Sequence, residues 1–299
     1  MKENSVGLSW FFDSPGNYGY ADMSTISIEA IASGTGHVYG DGRYELSNEL
    51  MPVGSDELQK MGLNDITFID ENSGFKSGLY KTKTDNYVYI FAGTDDGKKC
   101  DCDSSYDGIG SKLWLDKLDM HTNYTQGVGL KADQYQRALN NTIELINVIK
   151  IDKLLLAGQS LGGGLSSATG TILGINTITF NSAGVHNATL RREKLIRHDA
   201  LSYVVAYYIQ GDLLSYIQDR RFLPNAECLL PSAIGRRIEI PSTRGVLTSM
   251  PMGIMNKDAR NIWRAEAIYR HSSIDELVKA IISYKKQKHL ASFWIKSAK

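Results

Sequence analysis

Residues 153–168 read KLLLAGQSLGGGLSSA. Lys153–Ala157, at the start, is a short apolar run of the kind that forms a strand buried on both faces of a parallel sheet. The small residues that follow predict a helix over Leu165–Leu173. Between them, residues 158–162 (GQSLG) form a turn flanked by glycines. The stretch therefore predicts a strand, a sharp turn with Ser160 at its tip, and a helix.

The segments on either side continue this alternation. Leu130–Ile149 has apolar residues at spacings of three and four, which predicts an amphipathic helix. Thr177–Phe180 and Tyr203–Ile209 are rich in β-branched and aromatic residues and predict strands. Ser77–Tyr80 and Tyr87–Phe91 predict a hairpin that leads into a buried strand. Together these elements predict an α/β fold with a mainly parallel central sheet flanked by helices.

The amino-terminal part is less regular. Met23–Ala32 has the spacing of a helix, and Gly34 after it is a stop signal. Residues 34–70 are rich in glycine and show few periodic features. Because no repeat or long low-complexity linker interrupts the chain, we expect one domain over residues 1–299, with residues 1–72 as an irregular part packed on it.

Composition limits the classes of function. The 299 residues include 33 basic and 33 acidic side chains, and the hydrophobic fraction of 42% is typical of globular proteins. With a net charge of zero there is no overall field to attract nucleic acid, so we expect no nucleic-acid partner and only local, peripheral contact with a membrane surface. The amino terminus lacks the apolar run of a signal peptide, so we expect synthesis in the cytoplasm without classical export.

Neither a metal site nor a disulfide framework is predicted. The three cysteines are Cys100, Cys102 and Cys228. They cannot all pair, and no histidine pattern beside them is typical of zinc. The acidic stretch 95–107 suggests calcium, but Tyr106 stands where an EF-hand loop needs glycine and Lys112 where it needs glutamate. We expect a solvated acidic loop and no cofactor, with calcium as the alternative.

The turn at residues 158–162 has the GxSxG form, in the strand-turn-helix context of a nucleophile elbow. Such a turn holds its serine in a strained backbone conformation, so that the Ser160 hydroxyl projects from the sheet. The N–H of Leu161, at the start of the following helix, faces the place where an oxyanion would form. The sequence predicts Ser160 as a nucleophile and Leu161 as an oxyanion donor; the alternative is an ordinary serine in a tight turn.

A nucleophilic serine needs a histidine as base and a carboxylate to orient that histidine, in the chain order Ser, Asp or Glu, His for this kind of fold. Asp212 follows the strand that ends at residue 209 and is preceded by Gly211, which suits a sharp turn. Asp219 competes, but it stands next to Arg220 and Arg221, where a surface ion pair accounts for it. We therefore predict Asp212 as the carboxylate.

The last predicted helix is Ser273–Tyr284. Ser273 has the position of the N-cap, and Glu276, three residues later, completes the pattern of a capping box. In that pattern the glutamate side chain reaches back to the N–H of the N-cap residue. The helix therefore gives rigid support to the residues just before it.

The six histidines of the chain are His37, His121, His186, His198, His271 and His289. Only His271 and His289 follow Asp212. His271 stands in the predicted loop before the final helix, where a catalytic side chain can be presented. His289 lies in the charged stretch KKQKHL, which predicts a solvated helix face. His271 is therefore the predicted base.

Two further groups of residues are candidates for substrate contacts. Thr94, in the sequence FAGT at the end of a predicted strand, could supply the second oxyanion donor, although the same residues also suit a plain strand end. The stretch 245–255 (GVLTSMPMGIM) is apolar and rich in methionine, which suits an acyl groove or a lid, or else a buried connection. Its candidate acyl residues are Val246, Leu247, Met250, Met252, Ile254 and Met255.

The motif GQSLGGGLSSATG followed by TFNSAGV resembles the serine hydrolases of the class 3 lipase group, especially the bacterial phospholipase A1 branch with its GHSLGGGLAS elbow and TFNAAGL strand end. The segment SGFKSGLYKTKTDNYVYIFAGT is similar to that branch's segment ending FRGT. The likeness covers residues 73–282. Two positions depart from it, because Gln159 replaces the histidine before the serine and Ala92 replaces the arginine before Gly93.

This resemblance implies an α/β-hydrolase-like fold, with the triad roles on Ser160, Asp212 and His271 and the oxyanion roles on Leu161 and Thr94. It implies a lipid carboxylic ester hydrolase, and specifically a phospholipase A1. A neutral-lipid lipase, a short-chain esterase and an inactive hydrolase scaffold used for binding are the alternatives. Without a signal peptide, we expect export as a bacterial effector by a specialised system, with an immunity or chaperone protein as partner.

Overall fold

A computed structural model describes residues 26–40, 42, 44–64, 66–93, 133–192, 199–219, 230–245 and 257–297. The helices in these ranges are α1 (Ile28–His37), α2 (Ser55–Lys60), α3 (Asp133–Val148), α4 (Leu161–Leu173), α5 (Asn187–Arg192), α6 (Ala200–Tyr203), α7 (Leu213–Gln218), α8 (Lys257–Ser272) and α9 (Ile274–Ser297). The strands are β1 (Leu50–Pro52), β2 (Ile69–Asp70), β3 (Phe75–Thr82), β4 (Tyr87–Phe91), β5 (Leu154–Gln159), β6 (Thr177–Phe180), β7 (Val204–Ile209) and β8 (Arg236–Ile240).

The strands of the described ranges form a sheet in the order β1-β3-β4-β5-β6-β7-β8, and β2 pairs with β3 beside this path. The pairs that β3 makes with β1, β2 and β4 are antiparallel. Every pair from β4 to β8 is parallel. The predicted α/β-hydrolase-like fold, with a mainly parallel central sheet flanked by helices, is confirmed.

The parallel strands lie side by side in chain order, and this order determines on which face of the sheet the connecting helices pack. Right-handed crossovers between such strands place all their helices on the same face of the sheet. On that face, residues of α3 and α4 form one apolar cluster with the sheet. Residues of α1 and α9, near the two ends of the described chain, form the second cluster on the other face. The sheet is therefore covered on both sides.

This double cover explains the unbroken apolar runs in the sequence. In β4, Val88 and Ile90 belong to the cluster with α1 and α9, whereas Tyr89 and Phe91 belong to the cluster with α3 and α4. Strand β5 alternates in the same way, and all six of its residues are buried. Because both faces need apolar side chains, the strands lack the alternation of polar residues that an exposed face would give.

The first helix differs from its prediction. It runs over Ile28–His37 and not Met23–Ala32, so Gly34 lies inside the helix and does not end it. A Cβ at Gly34 would collide with the Ile90 side chain, so glycine at this position allows the helix to approach the sheet closely. The amino-terminal part, predicted as irregular, therefore contains a core helix as well as β1, α2 and β2.

The last helix also differs in part. It runs over Ile274–Ser297, and the Ser273 Oγ accepts a hydrogen bond from the N–H of Glu276 at 3.2 Å, which confirms the predicted N-cap. The predicted capping box is wrong. The Glu276 carboxylate accepts instead from the Ser242 hydroxyl and from the N–H and hydroxyl of Thr243, at 2.7 to 2.9 Å. These three donors lie in the loop after β8, which the sequence pattern cannot relate to Glu276.

None of the helices in the described part of the chain is long and apolar enough to span a membrane.

Candidate active site

Ser160 stands at the turn between β5 and α4, where the chain reverses sharply. Its backbone has φ 54° and ψ −123°, a conformation that residues other than glycine seldom adopt. Hydrogen bonds hold this turn, since the Ser160 carbonyl accepts from the N–H groups of Gly164 and Ala183 at 3.2 and 2.8 Å. The strained turn of a nucleophile elbow, predicted from the GxSxG pattern, is therefore present.

Glycines allow the strand ends to crowd around this turn. A Cβ at Gly158 would collide with the carbonyl of Gly162, and a Cβ at Gly162 with the carbonyl of Phe91. At Gly93, beyond the end of β4, an added Cβ would lie 3.3 Å from the Ser160 Cβ and 2.9 Å from the Gln159 carbonyl oxygen. The end of β4 therefore packs directly against the turn that carries Ser160.

The His271 imidazole connects Ser160 to Asp212. Its Nε2 lies 2.9 Å from the Ser160 Oγ, and its Nδ1 lies 2.7 Å from the Asp212 Oδ1. With Nδ1 protonated, the ring donates to the carboxylate, and its Nε2 is left to accept the serine proton. The three side chains predicted as a triad thus form one hydrogen-bonded chain. His271 itself lies in the last turn of α8 and not in the loop where the sequence placed it.

Asp212 is held from both sides. It follows β7 and is the N-cap of α7, where its Oδ2 accepts from the N–H of Ser215 at 2.7 Å. Its own N–H donates to the carbonyl of Ile209 at 2.9 Å, and its side chain is buried. The carboxylate is therefore fixed by the backbone before it meets the imidazole.

The competing residues have other contacts. Asp219 forms an ion pair with Arg237 on β8, whereas Arg220 and Arg221, the partners considered from sequence, lie outside the described residues. The His37 Nδ1 lies 3.1 Å from the Tyr80 hydroxyl, and the His186 Nδ1 accepts from the N–H of Ala188 at 3.1 Å. The candidates beyond the described atoms are His121, His198 and the side chain of His289.

Arg270 is a buried residue beside the site that the sequence did not single out. Its guanidinium donates to the Gln210 carbonyl at 2.8 Å and to the Gly245 carbonyl at 2.9 Å. Burial lowers the pKa of Arg270, while the nearby carboxylates of Glu266 and Glu276 act in the opposite direction. A buried arginine next to the predicted histidine is a signal that only the folded chain makes visible, since arginines in sequence are mostly exposed.

Leu161 is the first residue of α4, and the Ser160 side chain does not cap this helix. The first N–H groups of a helix have no partner within it, so the Leu161 N–H is free of helical bonding, as an oxyanion donor requires. Thr94 lies just outside the described residues, one position after Gly93. The acyl candidates in residues 246–255, the acidic stretch 95–107 and the three cysteines also lie outside them.

The described residues contain no cluster of three or more His, Cys, Asp or Glu side chains suited to a metal ion. What the site does contain is a serine hydroxyl, an imidazole to take its proton and a buried carboxylate to orient the imidazole. This arrangement can activate an oxygen nucleophile towards an acyl carbon.

A family model for the Tle-like phospholipase domain matches residues 30–254. The chain belongs to this family. The resemblance to the phospholipase A1 branch of the class 3 lipase group, predicted from the motifs around Ser160, is thereby confirmed. The match includes Ser160 and Asp212 of the hydrogen-bonded chain and ends before His271.

Among curated proteins, an extracellular phospholipase A1 of Serratia liquefaciens is 30% identical over 188 residues, which are 61% of this chain and 50% of that protein. The family member described here therefore spans about half the length of this relative.

Two solved lipases show weak likeness. The native propeptide complex of the Rhizomucor miehei lipase gives a TM-score of 0.39 at 10% identity, over 83% of this chain and 75% of that chain. Lipase II from Rhizopus niveus gives a TM-score of 0.36 at 13% identity, over 72% of this chain and 76% of that chain. Scores of this size add nothing to the fold, which rests on the sheet order and the turn at Ser160.

Proposed function

We propose that this member of the Tle-like phospholipase family is a carboxylic ester hydrolase that acts on lipids, and specifically a phospholipase A1. The observation that carries the proposal is the hydrogen-bonded chain from Asp212 through His271 to Ser160. The family match and the Serratia liquefaciens phospholipase A1 supply the substrate class.

The proposed reaction has two halves. In the first, the His271 Nε2 takes the Ser160 proton while Oγ forms a bond to the ester carbon, and the ester C–O bond then breaks as His271 protonates the leaving alcohol. In the second, water loses a proton to His271 and attacks the acyl carbon; His271 then gives this proton to the Ser160 Oγ as the bond between Oγ and the acyl carbon breaks, which releases the fatty acid. Asp212 holds the imidazole in its working tautomer throughout and stabilises its charged form.

Each half passes through a tetrahedral intermediate with a negatively charged oxygen. We assign its stabilisation to the backbone N–H of Leu161 and to Thr94, which follows the end of β4 in sequence. The support is the packing of Gly93 against Ser160, because it brings the chain before Thr94 beside the nucleophile. Donors fixed in advance at a developing charge typically contribute about 10²- to 10³-fold in rate each.

We also assign acyl binding to the apolar stretch 246–255. It directly follows Gly245, whose carbonyl accepts from Arg270, the residue before His271. Methionine side chains are flexible and apolar, so a stretch rich in them suits a fatty acyl chain.

Labelling with a fluorophosphonate probe tests the enzyme proposal, because the probe reacts only with an activated serine. We expect wild-type protein to be labelled and the Ser160→Ala variant to be unlabelled. Ser167→Ala is the matched control, since the buried Ser167 hydroxyl donates to the carbonyl of Gly164 on the same helix and has no role in the chemistry. A wild-type protein that resists the probe would support the inactive-scaffold alternative.

A lipid panel separates the enzyme alternatives. Phospholipid with a different acyl chain at each position should release the chain from the first position. Release only from triglyceride would favour a neutral-lipid lipase, and release only from soluble short esters would favour a short-chain esterase. Either result would reject the phospholipase A1 proposal.

We further propose that the protein is made in the cytoplasm and leaves it as an effector through a specialised secretion system, with an immunity or chaperone protein as partner and peripheral contact with the target membrane. The support is the likeness to an extracellular phospholipase A1, a relative that acts outside the cell that makes it. Directing the wild type and Ser160→Ala to the cytoplasm or the periplasm of a host tests this. Equal toxicity in the two compartments would contradict it.

A further inference from the structure

The backbone that carries His271 ends a helix, and helix ends leave carbonyl groups without partners. In an α-helix each carbonyl accepts from the N–H four residues later. Helix α8 ends at Ser272, so it contains no such N–H for the carbonyls of Arg270 and His271. A buried carbonyl that accepts no hydrogen bond costs folding free energy, so another part of the molecule must supply the donors. At this helix end, two side-chain amides from the sheet do so.

The first amide is Asn181, at the end of β6. Its Nδ2 donates to the Arg270 carbonyl at 2.9 Å and to the His271 carbonyl at 3.3 Å, and its Oδ1 accepts from the N–H of Ile209 at 2.9 Å. Ile209 in turn accepts from the N–H of Asp212. One fully buried side chain therefore connects the histidine helix to the loop that carries the carboxylate.

The backbone at Asn181 is also unusual. Its φ is 43°. Ser160 and Asn181, which follow the neighbouring parallel strands β5 and β6, are both non-glycine residues with positive φ. Asparagine tolerates this conformation better than most residues, because its short polar side chain can bond locally. Strained positions of this kind cluster at functional sites, and here the strain aims the amide at the end of α8.

The second amide is Gln159, the residue immediately before Ser160. Its Nε2 donates to the His271 carbonyl, and the side chain is buried. The turn that holds the nucleophile is thus tied to the backbone of the histidine by a bond separate from the one between Oγ and the ring. Both amides meet at the His271 carbonyl, one from each of two neighbouring strands.

We propose that Gln159 and Asn181 are positioning residues for the reaction assigned above, and that this carbonyl clamp, as we name the pair, sets the imidazole of His271. The ring must reach Ser160 and Asp212 at the same time, and it turns about two side-chain bonds. Its two hydrogen bonds can be met together only if its own backbone is fixed. The clamp fixes that backbone relative to both strand ends.

The clamp also accounts for the amide at position 159, where the phospholipase A1 branch that this sequence resembles has histidine. Nε2 of glutamine and Nε2 of histidine both stand four bonds from Cα, so either side chain can bring an N–H to the same carbonyl. Glutamate has the same shape as glutamine but offers an acceptor where the carbonyl needs a donor. The inference is therefore specific, because histidine should replace Gln159 and glutamate should not.

The test compares Gln159→Glu, Gln159→His and Asn181→Asp with Asn141→Asp. Asn141 is the matched control, because its buried Nδ2 also donates to a backbone carbonyl, that of Thr67, as well as to the Tyr89 hydroxyl, and neither group contacts the triad residues in a hydrogen bond. For Gln159→Glu and Asn181→Asp we expect kcat to fall by about ten- to a hundredfold with KM unchanged, since a small misplacement of a catalytic group has this effect. Gln159→His and Asn141→Asp should keep the wild-type kcat.

A second measurement needs no substrate. The proton shared by the His271 Nδ1 and Asp212 gives a far-downfield proton NMR signal in such pairs, and we expect Gln159→Glu and Asn181→Asp to shift or broaden it, while Gln159→His and Asn141→Asp leave it unchanged. A wild-type signal and a wild-type kcat in both Gln159→Glu and Asn181→Asp would overturn the clamp. A wild type that hydrolyses no ester while the signal still responds would instead overturn the proposed function and leave the clamp standing. Should Asn181→Asp not fold, the two Gln159 variants decide the question.

Discussion

Asp212 divides its two carboxylate oxygens between two tasks. Oδ1 faces the His271 Nδ1 at 2.7 Å, and Oδ2 caps helix α7 by accepting from the N–H of Ser215 at 2.7 Å. An asparagine at this position keeps one oxygen and can keep the cap, but its N–H₂ group cannot accept the imidazole proton. Stability and catalysis can therefore be separated at this one residue.

Asp212→Asn should lower kcat for ester hydrolysis by about 10⁴-fold, because the imidazole loses the group that holds its working tautomer. Its urea unfolding midpoint should stay close to that of the wild type. Asp212→Ala should lose the same activity and also about 0.5 to 2 kcal/mol of unfolding free energy, because the cap is lost as well. Steady-state kinetics and urea titration check both, and an Asp212→Asn variant within tenfold of the wild-type kcat would contradict the assignment.

Gly162→Ala tests the crowding beneath Ser160. The added Cβ would collide with the carbonyl of Phe91 and lie 2.7 Å from that of Ala92, and backbone atoms on both sides leave it no room. We expect a loss of about 1 to 3 kcal/mol in unfolding free energy, together with slower serine labelling. Gly54→Ala is the control, since a Cβ there meets no atom within 4 Å, and its cost is limited to about 0.5 kcal/mol, as expected for alanine in place of glycine at the N-cap of α2. Equal stability of the two variants would contradict the crowding.

Among single residues, the sequence identified those with distinctive chemistry and missed those whose partners are backbone groups. Ser160, Asp212 and His271 could be chosen because the reaction needs these side-chain types, the fold fixes their order in the chain, and glycines mark the turns that carry Ser160 and Asp212. Asn181 and Arg270 bind carbonyls that come close only after folding. Because any amide or guanidinium can bind any carbonyl, no spacing in the chain marks such a contact.

At the scale of elements, the junction of α8 and α9 depends on a buried carboxylate. Glu276, in the first turn of α9, accepts from Ser242 and twice from Thr243, and so ties the loop after β8 to the helix that follows His271. Hydrogen bonds to a charged acceptor are about twice as strong as neutral ones. The loop and the helix should therefore loosen together when this charge is removed.

Glu276→Gln should cost about 1.5 to 3 kcal/mol of unfolding free energy, because one of the two charged oxygens becomes an N–H₂ group that faces a donor. The neighbouring Asp275→Asn is the control, since Asp275 is exposed in the same turn and should change stability by less than about 0.5 kcal/mol. Chemical denaturation at neutral pH measures both. A Glu276→Gln variant as stable as Asp275→Asn would show that the loop is held by other contacts.

At this scale, the bounds of a strand were predictable where the sheet buries almost all of its residues. Tyr87–Phe91 and Thr177–Phe180 were bounded correctly from sequence, because β-branched and aromatic residues make up both strands and nearly all of these residues are buried. Strand β8 reads RRIEI and was not predicted, since it alternates charged residues. Its Arg237 is accommodated by an ion pair with Asp219 and by the ring of Tyr208, at 4.3 Å, both of which are tertiary contacts.

At the scale of the whole molecule, the order of the strands leaves one face of the sheet to α1 and α9, from opposite ends of the described chain. Their residues share one apolar cluster with the strands. An ion pair joins them as well, because the Lys285 Nζ lies 2.7 Å from the Glu29 carboxylate. The segment around α1 is thus part of the main core, although its glycines made it look peripheral in the sequence.

Ile31→Ala tests whether this amino-terminal helix is integral to the fold. Ile31 is fully buried in the cluster that α1 shares with the sheet and α9, so truncation leaves a cavity that several elements border. We expect a loss of about 2 to 5 kcal/mol in unfolding free energy, measured by urea titration. Ile69→Ala is the matched control, since Ile69 is 61% exposed and should contribute little. If α1 were a separate appendage, Ile31→Ala would leave the midpoint of the main unfolding transition at its wild-type value. If α1 is integral to the fold, the whole transition moves to lower urea, because the packing on that face of the sheet is weakened.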